Sequence, residues 1–495
     1  MKHNITHQYY LSQFDLEINH PFVYKPQLSE KSVKYISNIP NHLQFESLTF
    51  SLNLEENFKK VALLKGAFIA SQETDSFFFL AVDCCASFPL LYYINNNILK
   101  VFNHSDSLEN IVIDELQVSY FLDHSYTSQH NTLLKHLYRI EAAGFIFCNK
   151  KTNTTIIGRY QLFNSNLNSS NTNLPLIDEL YEQMQNQFLH ITKYHSDKKL
   201  IVPITGGYDS RCILAMLINI GYKEKIITYT YGKKDSVEYT TAKAITSKLQ
   251  IPWHFINYTD ETTDFIFSKK FENYLSQSHY YSSLPQEQDF FALKCLKESN
   301  IIPQNAVFLI GYSGGCLGGV MYANMLYRQV KKLPSNFHDC YIAEEMVKYI
   351  NNGVRAFEFF GFEWYMPFCE LNIFNKWFSL PYNFRVENEG WEKFILNKVC
   401  LSLNINQRKT YILSRWRRML NQRLKLMLPN FVIKKIQQKN IEVVKNDPNE
   451  SVIIYNKIFK ELKLTEADKK NFTHINKLLS HWFIKKIRNK FVLNN

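Results

Sequence analysis

The segment Ile204-Thr205-Gly206-Gly207-Tyr208-Asp209-Ser210 lies between a short apolar run, Leu200 to Ile204, and a stretch with Ile213, Leu214, Leu217 and Ile218 on one helical face. Two glycines between a strand and a helix let the backbone turn tightly and expose several N–H groups, and the helix N-terminus adds a partial positive charge. That construction suits an anion, phosphate above all. Asp209 and Ser210 are expected to cap a helix beginning near Ser210, and Asp209 is placed to hold a magnesium ion against phosphates. The plain alternative is an ordinary capped strand-to-helix turn. Against it stands the rarity of the pattern, on the order of one in a thousand chains of this length from average usage. Glycine is also scarce, 15 residues in 495, and seven fall in two clusters: Gly206-Gly207, and Gly311, Gly314, Gly315, Gly318 and Gly319.

The elements around the loop alternate. A helix is expected over 176–194, a strand over 200–204, a helix over 210–220 with Gly221 at its C-terminal cap, a strand over 225–231 and a helix over 237–249. Such alternation implies a parallel sheet covered by helices. Upstream, Asn164 to Pro175 reads NSNLNSSNTNLP, a polar stretch that suits an interdomain linker. Before it, runs such as Val61 to Ala70, Phe77 to Val82, Leu90 to Ile94 and Gly144 to Cys148 read as strands. From about Leu401 only helical patterns remain.

Charge is unevenly spread. Residues 401–495 carry 21 Lys and Arg against 6 Asp and Glu, a balance of +15, which leaves −3 for the first 400 of a chain whose net charge is +12. A nucleic-acid-binding core is therefore not expected, and the basic tail is a separate question. Two of its stretches have apolar residues at helical spacing: Arg415 to Leu428, and Ile475 to Ile487 with Lys485, Lys486, Arg488 and Lys490 beside it. They either pack on the body with their charges in water or offer a surface to an anionic partner, such as a membrane face. No apolar run reaches the ~18 residues of a membrane span. Met1-Lys2-His3-Asn4 lacks the apolar stretch of a secretory leader, and nine scattered cysteines, none spaced Cys-x-x-Cys, suit a reducing compartment. The expectation is a cytoplasmic protein.

Thr205 to Ser210 resembles the pyrophosphate loop of the N-type ATP pyrophosphatases, in the form found in asparagine synthetases, with threonine where serine is usual. Thr230-Tyr231-Gly232, Ser236-x-Glu238 and the helix after it resemble the family's adenine-side strand and helix. Gly361-Phe362-Glu363, Pro367-Phe368-Cys369-Glu370 and Leu380-Pro381 resemble its later Gly-Ile-Glu, Pro-Phe-Leu-Asp and Leu-Pro segments. Glu370 stands at the aspartate position, and Lys393 is the candidate for the basic residue that follows. The second glycine cluster, Gly311 to Gly319, resembles a loop that carries an aspartate in the family; Gly315 stands there.

The first ~162 residues resemble the glutaminase half of glutamine-dependent asparagine synthetases. Gly66-Ala67-Phe68, Asp83, Pro89-Leu90, Tyr92-Tyr93, Ala142-Ala143-Gly144 and Arg159-Tyr160 follow its motifs in order. That family's nucleophile is a cysteine at residue 2; this chain has Lys2, and Cys84 and Ala86 replace the arginine and glycine of its Asp-Arg-x-Gly segment. Together the resemblances imply an α+β glutaminase-like sandwich over 1–163 without glutaminase activity and a linker over 164–175. An α/β parallel-sheet ATP-binding domain over 176–400 and a basic helical extension over 401–495 would follow. They imply an ATP-dependent ligase that forms an amide through an acyl-adenylate, with Mg2+, releasing AMP and pyrophosphate. Its partners would be a small-molecule or peptide carboxylate and ammonia or an amine, as in β-lactam synthetases and lasso-peptide cyclases. Ile204, Thr205, Gly206, Gly207, Asp209, Ser210, Tyr231, Gly232 and Gly311 would bind the nucleotide, Asp209 the metal, and Glu370 and Lys393 would serve catalysis. The alternatives are ammonia-dependent asparagine synthesis, a nucleotide-binding pseudoenzyme, motivated by Gly315, or a docking protein that works through its tail.

Overall fold

A computed structural model describes residues 4–10, 13–17, 33–38, 48–95, 98–103, 112–163, 174–318, 339, 341–385, 389–407, 451–472 and 475–493. Most of the expected linker and the stretch Arg415 to Leu428 lie outside them.

Among the described residues, the first 160 build two sheets. Strands β1 (Asn4–Tyr10), β2 (Gln13–Glu17), β3 (Val33–Ser37), β4 (Phe68–Glu73), β5 (Phe77–Val82), β6 (Leu91–Asn95), β7 (Ile98–Phe102), β8 (Tyr138–Arg139), β9 (Gly144–Asn149) and β10 (Thr154–Arg159) are joined by helices α1 (Leu54–Val61) and α2 (Glu115–His124). One sheet has the order β1-β10-β9-β5-β4-β3 and is antiparallel throughout; the other has the order β2-β7-β6-β8, with β2 and β7 parallel. The central strand β5, Phe-Phe-Phe-Leu-Ala-Val, is buried along its whole length. This explains why its sequence does not alternate. The expected strand over Val61 to Ala70 is corrected. Asn53 caps α1 by accepting from Glu56 N, the helix runs to Val61, and a turn with Gly66 at φ 77° precedes β4.

The second half is a parallel sheet with helices. It runs α3 (Leu174–Tyr194), β11 (Leu200–Pro203), α4 (Tyr208–Asn219), β12 (Ile226–Gly232), α5 (Val237–Leu249), β13 (Trp253–Asn257), α6 (Lys269–Ser278), α7 (Phe290–Glu298) and β14 (Val307–Leu309). A π-helical segment, Ile342–Ile350, precedes α8 (Val354–Phe359), β15 (Glu363–Tyr365), α9 (Leu371–Ser379) and α10 (Glu389–Phe394). All four pairings in the order β13-β12-β11-β14-β15 are parallel. β11 is central, with Ile201 and Val202 fully buried. The chain leaves it toward β12 and β13 and returns to its other side at β14. The switch point lies between β11 and β14, and the crevice beyond their C-terminal ends is where open α/β sheets bind ligands.

The halves share one apolar core. Arg159 makes a two-pronged bond to Asp339, at 2.6 and 2.9 Å, and Arg355 donates to the Ser87 carbonyl at 2.7 Å. The described part of the tail packs on this body through α11 (Ser451–Glu461) and α12 (Ile475–Leu493). Leu478, Trp482 and Phe483 are buried, Phe483 stacks on Phe121 of α2 at 5.7 Å, and Trp482 donates to Glu461 at 2.7 Å. Lys485 and Arg488 stay exposed. Among the described residues no helix is long and apolar enough to cross a membrane.

Candidate functional site

The glycine loop begins where β11 ends. Ile204 is pinned to β12 by donating its N–H to Tyr229 O at 2.9 Å and accepting from the Thr230 hydroxyl at 2.6 Å. Thr205 N–H donates to Ser210 Oγ at 3.1 Å, and Gly207 N–H to Thr205 Oγ1 at 3.0 Å. These bonds correct the expected cap. The helix starts at Tyr208, its N-cap is Gly207 with extended backbone, and no side chain caps it. Ser210 folds the loop instead, and Asp209 sits in the first helical turn. A 12-residue helix entered through a glycine N-cap presents its N-terminal end at the C-terminal edge of the sheet, the kind of place that suits an anion.

The second glycine loop closes against the first. A Cβ added to Gly311 would lie 3.2 Å from Asp209 Cβ, and one added to Gly314 would fall 2.7 Å from Asp209 Oδ2 and closer still to Cγ and Oδ1. Only glycine permits so near an approach. Ser313 holds the loop from behind: it adopts φ 70° and bonds Asn351 Oδ1 and Cys369 Sγ, each at 2.8 Å. Asp209 Oδ1 accepts from the Trp391 indole N–H at 2.7 Å, and the Tyr208 hydroxyl donates to Glu392 at 3.0 Å, so α10 walls the site. Arg211, buried behind the loop, ties α4 to the carbonyls of Ile405 and Gln407 at 3.3 and 2.7 Å. Asp209 therefore combines a carboxylate, suited to Mg2+, with a neighbouring helix N-terminus suited to phosphate. Gly315 adds no second carboxylate.

Tyr231 and Gly232 end the neighbouring strand β12, with Gly232 at φ 118° and Tyr231 stacked on Tyr258 at 5.3 Å. Thus Ile204 to Ser210 and Gly311 converge at the switch point, and Tyr231 and Gly232 border it. Lys393 is exposed on α10; its neighbours Trp391 and Glu392 make the contacts with the loop. Glu370 goes elsewhere. Its carboxylate accepts from Gly66 N–H at 2.9 Å and from the Tyr365 hydroxyl, at the junction with the N-terminal half. Burial pushes it up to about 7.

Sequence reasoning missed Trp391 and Asp289. Asp289 is buried, accepts from the Tyr312 hydroxyl at 2.6 Å and from Tyr231, and so links the ends of β12 and β14. Burial raises its carboxyl above the usual range. Neither residue belongs to a local motif; both act across long sequence separations.

A family model described as "Queuosine biosynthesis protein QueC" matches residues 199–289. The chain is similar to a tRNA-specific 2-thiouridylase MnmA from a Marinomonas species, 32% identical over 91 residues. It is also similar to a 7-cyano-7-deazaguanine synthase from Rickettsia felis, 27% identical over 92 residues. These matches cover 17% and 18% of this chain and 23% and 41% of those proteins, so the chain spans less than half the length of either. Among solved structures, glutamine-dependent NAD+ synthetases from Acinetobacter baumannii and Cytophaga hutchinsonii align at 12% and 10% identity with TM-scores of 0.21 and 0.18. They cover 45% and 59% of this chain and 37% and 73% of their own. The segment matched by the QueC model, residues 199–289, contains β11, the glycine loop and the head of α4, so the likeness falls on the candidate site itself.

Proposed function

We propose that the protein is an ATP-dependent ligase that joins a carboxylate to ammonia or an amine through an acyl-adenylate. The observation that carries this reading is the glycine-led N-terminus of α4 with Asp209 in its first turn, closed on by Gly311 and Gly314. The loop amides and the Ser210 end of the helix would take the charge that develops on the leaving pyrophosphate, an interaction that strengthens as the α-phosphate bond breaks. Asp209 would hold Mg2+, which when bound neutralises phosphate charge. Trp391 fixes the Asp209 rotamer, and the Tyr231–Gly232 strand end would border the adenine. Positioning supplies the remainder of the rate.

The N-terminal half is read as a glutaminase-like sandwich without its nucleophile. In the Asp83 turn, Asp83 accepts from Phe68 N, Cys85 N, Ser87 N and Ser87 Oγ, so its carboxylate is committed to holding the turn. The nucleophile is then free ammonia or a substrate amine. Gly315 favours one second reading, nucleotide binding without turnover.

Asp209→Asn tests the site. Asn keeps an oxygen for the Trp391 N–H, so the melting temperature of the free protein should change by less than the roughly 1 kcal/mol typical of a lost hydrogen bond. Stabilisation by Mg-ATP and carboxylate-dependent release of pyrophosphate should both disappear. Full Mg-ATP stabilisation of the mutant would remove this loop as the nucleotide site. Wild-type stabilisation without pyrophosphate release from any carboxylate would favour the second reading.

A further inference from the structure

One buried carboxylate at the switch point has no cation to answer it. Asp289 directly precedes α7, is 7% exposed, and accepts from the Tyr312 hydroxyl at 2.6 Å and from Tyr231. Among the described residues no lysine or arginine pairs with it. A carboxylate offers about four acceptor sites, so about two remain. A buried carboxylate without a partner cation is costly, and a bound cation would remove that cost.

The surroundings are aromatic and fixed. Tyr312 lies against Gly353, where an added Cβ would fall 2.6 Å from its hydroxyl oxygen, so the ring has little room to move. Tyr231 stacks on Tyr258 at 5.3 Å, and the Tyr258 hydroxyl donates to Gln288 O at 2.6 Å. Tyr229 stands two residues before Tyr231 on β12, so both rings lie on one face of the sheet, with centroids 6.5 Å apart. The Tyr229 hydroxyl is fully buried there and has no hydrogen-bond partner among the described residues. A second unanswered polar group thus shares the face that carries Tyr231.

Tyr231 and Tyr312 are partly exposed, one at the end of β12 and the other beside Gly311. A carboxylate among phenol rings suits an organic ammonium. Its N–H groups donate to the carboxylate, and the ring faces attract its charge and cover its alkyl chain. Mg2+ fits worse, because it demands near-octahedral oxygen ligands and keeps several of its waters.

We propose that Asp289, with Tyr231 and Tyr312, binds a primary ammonium group carried by an organic substrate. The inference rests on the ligase reading for one point only, that this amine belongs to one of the ligase's substrates. It is a binding contact, and no covalent bond forms or breaks at Asp289.

The test is saturation-transfer NMR on the full-length protein at pH 8, where an alkylamine is cationic, with n-butylammonium chloride as the probe and n-butanol as its uncharged counterpart. The wild type should bind n-butylammonium at least about tenfold more tightly than n-butanol. Asp289→Asn, which still accepts from Tyr312, should weaken n-butylammonium binding by at least about tenfold and keep the stabilisation by Mg-ATP. Loss of that stabilisation in the variant would make Asp289 a ligand of the nucleotide's metal and overturn the proposal. Undiminished binding by the variant, or no binding by the wild type, overturns it as well. A crystal structure of the wild type with n-butylammonium serves if the variant fails to fold. The nitrogen should lie within about 3.2 Å of an Asp289 oxygen, and a nitrogen placed elsewhere overturns the proposal. The two readings fail separately. A wild type stabilised by Mg-ATP that ignores n-butylammonium sinks this inference alone, whereas one that binds n-butylammonium without stabilisation by Mg-ATP sinks the ligase reading and leaves the ammonium site standing.

Discussion

Gly314→Ala tests whether the two glycine loops are one site. The new methyl group would stand 2.7 Å from Asp209 Oδ2 and nearer to Cγ and Oδ1, inside van der Waals contact, so one partner must move. Asp209 resists because Trp391 holds its Oδ1 at 2.7 Å and its backbone lies in the first turn of α4. The second loop resists because Ser313 is tied to Asn351 and Cys369. Overpacking of this kind costs about 1–3 kcal/mol, a drop of a few degrees in melting temperature. Binding should suffer separately. At a hundredfold excess over its dissociation constant, Mg-ATP stabilises a protein by about 2.7 kcal/mol, and a tenfold loss of affinity removes about 1.4 kcal/mol of that. Gly221→Ala is the control: φ is 88°, nothing lies within 4 Å, and the residue closes the far end of α4. It should lower the melting temperature through backbone strain alone and keep the whole Mg-ATP increment. Melting curves of both variants with and without Mg-ATP decide the matter. If Gly314→Ala melts lower yet keeps the full increment, the second loop is no part of the nucleotide site.

Three further outcomes are expected. Burial raises the Glu370 carboxyl to about 7 from 4.5, so the folded state holds its proton and stability falls as pH rises from about 4.5 to 7. The shift corresponds to on the order of 3 kcal/mol, and Glu370→Gln, which still accepts from Gly66 and Tyr365, should flatten that part of a pH series of denaturant melts. His195 shows the opposite sign: burial lowers it to about 4 from 6.5, so stability falls as pH drops from about 6.5 to 4. Neither of its ring nitrogens has a partner among the described residues, so His195→Leu should remove this acid limb from the same series without lowering stability at pH 8. Phe483→Ala should cost about 3–5 kcal/mol in chemical unfolding and leave the Mg-ATP increment intact, because Phe483 is core and stacks on Phe121. An unchanged unfolding midpoint would mean that α12 does not dock in solution.

Local pattern was a good guide where neighbouring residues decide the outcome. The helix expected over 237–249 is α5, with Ser236 accepting from Tyr239 N–H as its cap, and the Phe77–Val82 run is β5. The loop itself was legible because glycine and a helix start are properties of adjacent residues. Its inner wiring was not: Ser210 looks like a cap, but Thr205 N–H claims its hydroxyl. Glu370 stands where the family pattern placed a catalytic carboxylate, yet its direction is set by the Gly66 amide, 304 residues away in sequence. Trp391 reaches Asp209 across 182 residues. The run from Val61 to Ala70 merged two elements. Val61 ends a capped helix and Leu63 is 78% exposed, which no count of apolar residues reveals.

The stacking of Phe483 on Phe121 also sets a timetable for synthesis. Phe121 is fully buried in the finished molecule, and the ring stacked on it comes more than 350 residues later in the chain. At translation rates of roughly 5–20 residues per second, α2 waits on the order of 20 to 70 seconds for its partner. Throughout that interval the growing chain displays an aromatic face that its own later residues must find. The window for misassociation, and for chaperone engagement, is thus written into the distance between one ring and the other.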